Sequence, residues 1–255
     1  MPVRVGLGVA SPDERISSTI RAVGGKVDLV LFSRPGVAES LGSAATVVEA
    51  EKPEVALVEA LAEGRIDAAV RGDLPASPTL KALKRAMGVD HLERIALLET
   101  ADGRLFLLAP VGVDEGWKVE EKVRLVERGR EIARSFGLAE DVAVLSGGRL
   151  GDIGRHPVVD RTMADAELVA RLTGARHTEI LIEEAARRYG VVVAPDGVSG
   201  NLIFRTLTFL GAGKGHGAPV VNIDKIFVDT SRASVDFTNA IMLANSLVKS
   251  EMSQI

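Results

Sequence analysis

The sequence has no cysteine and very few side-chain amides. With no thiol among its 255 residues, the chain cannot form a disulfide framework, a thiolate metal site or a cysteine nucleophile. The amides are limited to four asparagines and one glutamine, namely Asn201, Asn222, Asn239, Asn245 and Gln254. Because these side chains are thermolabile, their scarcity favours a heat-adapted, thermophilic source.

Long apolar runs and an excess of positive charge are also missing. No run reaches the length of about 18 apolar residues that a membrane span needs. The N-terminus lacks the cationic start and apolar stretch of a signal peptide. A net charge of −4 and a pI of about 5.7 do not suit a protein that binds nucleic acid. We therefore expect a cytoplasmic protein with neither a membrane nor a nucleic acid as partner.

Strand and helix patterns alternate along most of the chain. Short apolar strands are predicted at 3–8, 27–32 and 66–70, each followed by a helical segment. A hairpin at 93–110, turning at Asp102-Gly103, then adds an antiparallel edge. This order predicts an α/β fold with mostly parallel sheets.

The hairpin interrupts the alternation and suggests two lobes. We expect residues 1–116 and a C-terminal helix at 234–255 to form the first lobe, and residues 117–233 to form the second. The hairpin is rich in apolar residues, and we expect part of its surface to be buried in a homodimer, through Leu97, Leu98, Phe106 and Leu108.

Six glycines flank one apolar run in the segment PDGVSGNLIFRTLTFLGAGKGHGAP at 195–219. The turn at 196–201 joins a strand to a helix, and its free N–H groups could cradle an anion. Alternatively, Asp196 or Ser199 caps the helix and the glycines only form the turn. The second cluster of glycines, at 211–217, contains Lys214. Because Lys214 is followed by Gly215 and not by Ser or Thr, this segment is not a Walker loop, but Lys214 could still reach an anion.

The other polar motifs are less specific. Gly6-Leu7-Gly8 resembles part of a dinucleotide fingerprint, but Ser11 stands where the third glycine belongs. The four histidines show no metal-ligand spacing, so no metal is expected, and His156 alone lies in a glycine-rich loop. In the turn at 230–236, Ser234 and Asp236 suit a helix start, whereas Arg232 could bind phosphate beside a polar Ser231 or Asp236.

Two C-terminal stretches resemble a known family. PDGVSGNLIFRTLTFLGAGKGHGAPVV and DTSRASVDFTNAIMLA are similar to the C-terminal signature of the phosphate acetyl/butyryltransferases. VAVLSGGRLGDIG resembles the family's glycine-rich strand end, and ALLETADGRLFLLAPVGVDEG resembles its hairpin. The resemblance implies an isocitrate/isopropylmalate dehydrogenase-like fold of two α/β domains with a cleft between them, usually as a homodimer. It also implies transfer of an acyl group between phosphate and a thiol such as that of coenzyme A.

The resemblance assigns roles to particular residues. By analogy Arg232 binds the phosphate, Ser231 stabilises the reacting group, and Asp236 or His156 takes the thiol proton. The loop at 147–151 and Gly200-Asn201 would line the cleft. The predicted catalytic residues are Ser231, Arg232 and Asp236, and the predicted anion-binding residues are Arg71, Gly147, Gly148, Arg149, Asp196, Gly200, Asn201 and Lys214.

The chain departs from the family pattern at several points. Arg71-Gly72-Asp73 stands where the family has Ser-Gly-Ala, and Lys81 or Lys84 is nearest to the family's phosphate-binding arginine. In its short length, its low content of asparagine and glutamine and its overall sequence character, the chain resembles a divergent branch, the methyltransferase-related MtxX-like proteins of methanogens. The alternative function is therefore a part in methanogenic methyl transfer, as a subunit or as a non-catalytic partner. No cofactor is expected to be tightly bound, and coenzyme A or phosphate would be a substrate.

The turns at 196–201 and 230–236 together lead to one geometric expectation. If the strands before 196–201 and before 230–236 are neighbours in one sheet, both helix starts open on the same side. Phosphate would then bind between the two turns, with Arg232 as its charged anchor.

Overall fold

The computed structural model describes residues 2–37, 45–231 and 234–252. The chain forms two compact units, of which the first combines residues 1–92 with 217–255 and the second is the continuous segment 93–216. Among the described residues the strands are β1 (Arg4–Val9), β2 (Asp28–Ser33), β3 (Thr46–Glu49), β4 (Ala68–Val70), β5 (Ala96–Glu99), β6 (Leu105–Ala109), β7 (Val142–Val144), β8 (Arg176–His177), β9 (Val191–Val193), β10 (Lys214–Gly215), β11 (Ala218–Pro219) and β12 (Ile226–Asp229).

The helices complete both units. They are α1 (Glu14–Val23), α2 (Pro53–Ala62), α3 (Ala76–Met87), α4 (Val119–Ser135), α5 (Pro157–Thr173), α6 (Ile182–Arg188), α7 (Gly197–Arg205) and α8 (Thr238–Met252). A 3₁₀ turn spans Leu150–Asp152, and α7 continues into a π-helical turn at Thr206–Leu210. Within the described ranges, no helix is long and apolar enough to cross a bilayer.

The first unit is built on a sheet with the strand order β11-β12-β4-β1-β2-β3. The five strands from β12 to β3 run parallel, and β11 joins antiparallel at the edge next to β12. Strand β4 is buried at every position, as expected for a central strand covered by helices on both faces. Leu7, Phe32 and Phe227 from three strands are each at most 1% exposed and fill the core.

The second unit is built on a sheet with the strand order β10-β5-β6-β9-β7-β8. The hairpin β5–β6 and the short β10 supply antiparallel pairs, and β6, β9, β7 and β8 run parallel. Gly103 adopts φ +85° at the hairpin turn, a conformation that favours glycine. The predicted α/β class with mostly parallel sheets is confirmed in both units.

The boundaries between the units differ from those expected from sequence. The chain leaves the first unit after Leu92 and not after residue 116, because the hairpin pairs with β9 of the second sheet. It returns at Gly217, since β12 pairs with β4 of the first sheet. The apolar hairpin residues that we expected in a dimer interface are buried inside their own unit: Leu97 is 9% exposed, and Leu98, Phe106 and Leu108 are at most 1% exposed.

Three helix starts also differ from what the local sequence predicts. Ser11, just before Pro12, suits an N-cap of α1, but Asp13 is the cap, because its carboxylate accepts the N–H groups of residues 15 and 16. Helix α7 begins at Gly197, which places both glycines of the 196–201 turn inside the helix. Helix α8 begins at Thr238, whose N–H donates to the Asp236 carboxylate over 2.8 Å, so Ser234 lies before the helix and does not cap it.

Candidate functional site

Three loops meet at one edge of the first unit's sheet. Strands β12, β4 and β1 are parallel neighbours, so the loops that follow them leave from the same edge. The Thr230 hydroxyl, just after β12, donates to the Gly72 carbonyl in the loop after β4 over 2.7 Å. Asp73 in that same loop binds the loop after β1. Ser231 therefore lies at a junction of three strand ends.

Arg71, a predicted anion-binding residue, is engaged inside the fold. It is 4% exposed, its Nε donates to the carboxylate of Asp229, and its Nη1 donates to the Leu74 carbonyl over 2.6 Å. Asp229 is 8% exposed. Removal of either partner would leave a buried charge without its counterion, so this pair ties the β4 loop to the end of β12.

Asp73 occupies the backbone amides that a dinucleotide phosphate would need. Its carboxylate accepts the N–H of Ala10 over 2.6 Å and the N–H of Ser11 over 3.0 Å. A Cβ at Gly8 would lie 2.5 Å from the Arg71 carbonyl oxygen, so this glycine allows close packing of the β4 loop. The Gly6-Leu7-Gly8 motif is explained by that packing and needs no nucleotide.

Arg15 belongs to the same edge and was missed by the sequence reasoning. Its guanidinium pairs with Asp13 over 2.6 Å and lies 3.8 Å from Asp73, and it stacks 5.9 Å from the ring centroid of Phe237. The hydrogen bond from Arg15 holds the pKa of the Asp13 carboxyl below its usual value. Nothing local in the sequence indicates this role, because Asp73 and Phe237 are distant along the chain.

The turn after β12 carries the three predicted catalytic residues. The Ser231 carbonyl accepts the N–H of Ser234 over 3.1 Å, and Ser231 is half-buried. Asp236 is half-buried, and one of its carboxylate oxygens caps α8 through Thr238. Arg232, the predicted phosphate anchor, lies outside the described residues.

In the second unit, the turn at 196–201 is a tightly packed helix start. The Asp196 carboxylate accepts the Ser199 N–H over 2.8 Å, so the helix N-terminus already holds an anionic group of its own chain. A Cβ at Gly197 would overlap the Gly112 carbonyl oxygen, and one at Gly200 would overlap the Pro110 carbonyl oxygen. The glycines are therefore required by contact between α7 and the loop after β6.

Two further predicted residues of the second unit are held by hydrogen bonds or ion pairs. The Asn201 amide donates to the Val111 carbonyl over 2.9 Å and reinforces the contact of α7 with the loop after β6. Lys214 forms an ion pair of 2.8 Å with Glu99, whose other oxygen lies 3.0 Å from His216. These bonds with Lys214 and His216 lower the pKa of Glu99.

The glycine-rich loop after β7 contains Gly147, Gly148 and Arg149. Gly147 is exposed and its N–H donates to the Thr162 hydroxyl over 2.8 Å. A Cβ at Gly148 would lie 2.6 Å from a methyl group of Val159, and Arg149 is exposed at the start of the 3₁₀ turn. Gly147 and Arg149 are thus accessible to solvent, whereas Gly148 is buried.

The remaining candidates do not form a metal site. The ring Nδ1 of His156 accepts the Val158 N–H over 3.2 Å and caps α5. In the described ranges, no group of three or more His, Asp or Glu side chains could hold a metal ion.

The two turns that we expected to share one anion follow strands of different sheets. Strand β9 precedes the turn at 196–201 and belongs to the second unit, whereas β12 precedes the turn at 230–236 and belongs to the first. The expected alignment of two neighbouring strand ends is therefore wrong.

Comparison with known proteins gives clear sequence relatives. No family model matches the chain. Over 96% of its length it is 46% identical to a protein of Methanosarcina barkeri named "Putative methyltransferase mtx subunit X", covering 93% of that protein. It is 48% identical to the protein of the same name from Methanosarcina acetivorans, over 96% of this chain and 90% of the relative. A protein of Methanopyrus kandleri named "Uncharacterized methyltransferase" is 41% identical over 96% of this chain and 99% of its own.

Comparison with solved structures establishes the fold. A branched-chain phosphotransacylase from Enterococcus faecalis matches with a TM-score of 0.74 at 17% identity, over 96% of this chain and 99% of the other. A phosphotransacetylase from Streptococcus pyogenes matches with a TM-score of 0.68 at 16% identity, over 98% of this chain and 94% of the other. Isocitrate dehydrogenase from Methylococcus capsulatus matches with a TM-score of 0.56 at 11% identity, over 98% of this chain and 86% of the other. At these identities the likeness concerns the fold alone, and it confirms the predicted fold class.

Proposed function

We propose a function from the premise that this chain belongs to the family of the methyltransferase mtx subunit X proteins. The proposed function is that of a transferase which binds a phosphate group at the turn after β12. The reaction that its phosphotransacylase fold supports is transfer of an acyl group between phosphate and a thiol such as that of coenzyme A.

One observation carries this proposal. Ser231, which precedes Arg232 in the sequence, follows β12 at the edge where the loops after β1, β4 and β12 are joined by the Thr230–Gly72 and Asp73–Ala10 hydrogen bonds. Ligands of open α/β sheets bind beyond the carboxyl ends of parallel strands, which is where this junction lies.

The chemistry assigned to this turn is nucleophilic attack on an acyl phosphate. The thiolate sulfur attacks the acyl carbon, a C–S bond forms, and the C–O bond to phosphate breaks with its electron pair leaving on the phosphate. Arg232 compensates the phosphate charge, the Ser231 hydroxyl donates to the developing oxyanion, and Asp236 accepts the thiol proton. One oxygen of Asp236 caps Thr238, which fixes the carboxyl group in the same turn as Ser231.

Arg71 is given no part in this chemistry. Its guanidinium is buried against Asp229 and Leu74, so phosphate binding would have to break a buried ion pair. Arg232 is therefore the residue that we expect to compensate the negative charge of the phosphate. No tightly bound cofactor is required, and phosphate and coenzyme A enter as substrates.

A second candidate function is a part in a methyl-transfer system without acyl transfer. It is favoured by the names of the sequence relatives, which describe a methyltransferase subunit. In this case the chain keeps the fold and an anion site and acts as a partner of other subunits. A homodimer stays a prediction for both functions, and its interface has to be sought away from the buried hairpin residues.

The first experiment tests phosphate binding. Calorimetric titration of the whole chain with inorganic phosphate is expected to show binding, and Arg232→Ala is expected to weaken it about ten- to a hundredfold, since one charge-assisted bond contributes roughly 1.5–3 kcal/mol. Arg21→Ala is the matched control, because Arg21 is an exposed arginine of the same unit that pairs with the exposed Glu14. Equal phosphate affinity of Arg232→Ala and the parent would refute the assignment.

The second experiment separates the two functions. Acetyl phosphate and coenzyme A are mixed with the protein, and thioester formation is followed by its absorbance. Thioester formation that Arg232→Ala abolishes supports acyl transfer. Phosphate binding without any thioester formation removes the acyltransferase proposal and leaves the methyl-transfer partner.

A further inference from the structure

An acid–histidine–serine chain of hydrogen bonds lies in the second unit, away from the turn after β12. The ring of His177, on β8, has its Nδ1 2.8 Å from a carboxylate oxygen of Glu167 on α5. Its Nε2 lies 2.8 Å from the hydroxyl of Ser146, the residue just before the glycine-rich loop. The Ser146 hydroxyl in turn lies 2.9 Å from the Gly148 carbonyl oxygen. Glu167, His177 and Ser146 were not among the site residues predicted from the sequence, whereas Gly148 was a predicted anion-binding residue.

The hydrogen count of this chain depends on whether His177 is protonated. With both ring nitrogens protonated, Nδ1–H donates to Glu167, Nε2–H donates to the Ser146 oxygen, and the Ser146 hydroxyl donates to Gly148. When the imidazole is neutral with its proton on Nδ1, Nε2 becomes an acceptor. The single Ser146 proton then serves either Nε2 or Gly148, and one acceptor loses its donor. With the proton on Nε2, the Nδ1 lone pair faces the Glu167 carboxylate.

The order of these side chains is also that of a hydrolase triad, but burial argues against this interpretation. Ser146 is 1% exposed, and its hydroxyl is within hydrogen-bonding distance of a backbone carbonyl as well as the imidazole. A nucleophile has to be reached by its substrate. The contact between Ser146 and Gly148 instead connects His177 with the conformation of the loop.

Other hydrogen bonds also hold this loop, and two of them come from Glu179, a residue with an unusual backbone conformation. Glu179 has φ +56°, a conformation that is uncommon for residues other than glycine. Its carbonyl accepts the Ser146 N–H and its carboxylate accepts the Leu150 N–H, each over 2.8 Å. Backbone strain of this kind is found where the surrounding structure fixes a functional segment.

We propose that protonation of His177 controls the conformation of the glycine-rich loop 147–152, with the preceding Ser146 relaying the change to the Gly148 carbonyl. At lower pH the full hydrogen-bond chain forms. At higher pH the unprotonated Nε2 competes with the Gly148 carbonyl for the single Ser146 proton, and this bond to the loop weakens.

The charged groups around His177 come from several elements. Helix α5 contributes Glu167, which contacts the ring directly. The segment after β8 contributes Glu179, whose carboxylate is bound to the Leu150 N–H. Strand β7, the neighbour of β8, contributes only Val and Ala side chains, and Arg176 beside His177 is exposed. The loop carrying Gly147, Gly148 and Arg149 is thus linked to one titratable ring, and this holds whether or not phosphate binds to the protein.

The test is an NMR titration of the whole chain over roughly pH 5–8, where histidines change charge. The amide signals of Gly147, Gly148 and Leu150 are expected to shift with the same midpoint as the His177 ring. His177→Gln is expected to remove this transition. His216→Gln is the matched control, because His216 also contacts a glutamate, Glu99, but lies at the opposite edge strand of the sheet. The proposal would be overturned if the loop amide signals did not shift with pH, or if they showed the same pH-dependent transition in His177→Gln.

A second variant keeps the proposal testable if His177→Gln does not fold. Ser146→Ala leaves the imidazole and Glu167 in place but removes the hydroxyl that connects them to Gly148. In this variant the His177 ring is expected to titrate while the Gly148 amide no longer follows it. If the Gly148 amide still follows the ring titration in Ser146→Ala, the relay through the hydroxyl does not exist.

Discussion

Replacement of Gly200 by alanine tests whether the glycines of 195–219 serve packing. Gly200 lies inside α7, where alanine is normally preferred over glycine by about 1 kcal/mol. A Cβ at this position would overlap the Pro110 carbonyl oxygen. The obstacle is backbone and not the end of a flexible side chain, so α7 or the loop after β6 has to move.

The expected magnitude follows from the balance of these two effects. Overpacking costs about 1–3 kcal/mol, and overlap with a backbone atom places Gly200→Ala at the upper end of that range. After the gain in helix preference, the second unit is expected to lose about 1–2 kcal/mol of unfolding free energy. With a urea slope of about 1–3 kcal/mol per molar, the unfolding midpoint falls by roughly 0.3–2 M.

Two other glycines of the same unit provide a graded comparison. A Cβ at Gly151 has no atom within 4 Å, and one at Gly129 in α4 lies 2.7 Å from a methyl group of Val191. We expect the loss of stability to increase from Gly151→Ala through Gly129→Ala to Gly200→Ala. Gly151→Ala should stay within about 0.5 kcal/mol of the parent.

Urea unfolding followed by tryptophan fluorescence measures this series. Trp117 is the single tryptophan, it lies in the second unit, and its indole N–H donates to the Val113 carbonyl over 3.0 Å. The signal therefore reports on the unit that carries all three glycines. Gly200→Ala with a midpoint equal to or above that of Gly151→Ala would refute the packing argument.

Two further predictions concern buried carboxylates. Asp73→Asn is expected to destabilise the first unit by about 1–3 kcal/mol, because Ala10 and Ser11 donate to different carboxylate oxygens and asparagine replaces one of these oxygens by an NH2 donor. Thermal unfolding measures this, and an unchanged midpoint contradicts it. Burial raises the pKa of Glu115, against the opposing effect of Arg94, so the folded unit holds the proton more tightly than the unfolded chain. Stability should therefore fall as the pH rises from the pKa of about 4.3 of a glutamate in the unfolded chain through the pKa in the folded unit. Urea unfolding at several pH values measures this dependence, and Glu115→Gln should flatten it. An equal pH dependence in both proteins contradicts the assignment.

The order of strands and helices could be predicted from local patterns. Helix α3 ends at Gly88, whose φ of +67° is the left-handed end that glycine favours. The start of α1 was less certain, because Ser11, Pro12 and Asp13 are all common at helix starts, and only the fold decides that Asp13 reaches the free N–H groups.

The candidate site was harder to predict because charges find distant partners. Arg71 and Lys214 were predicted to bind anions, but each meets a carboxylate of its own chain, 158 and 115 residues away in sequence. The assignment of β12 to the sheet of β4 is likewise a long-range event that no local pattern contains. Local sequence patterns therefore identify basic residues and glycines as candidates for a site, but they do not show which distant residues these candidates contact in the folded chain.

The interrupted first unit has a consequence for synthesis on the ribosome. The second unit is continuous, so all its residues have been made before β12 is translated. Until then β4 lacks its neighbour on one side and Arg71 lacks Asp229. An unpaired edge of this kind can pair with other chains. The half of the molecule that is begun first is completed last, and a ribosome that stalls before residue 226 would release a finished second unit attached to an open, aggregation-prone sheet.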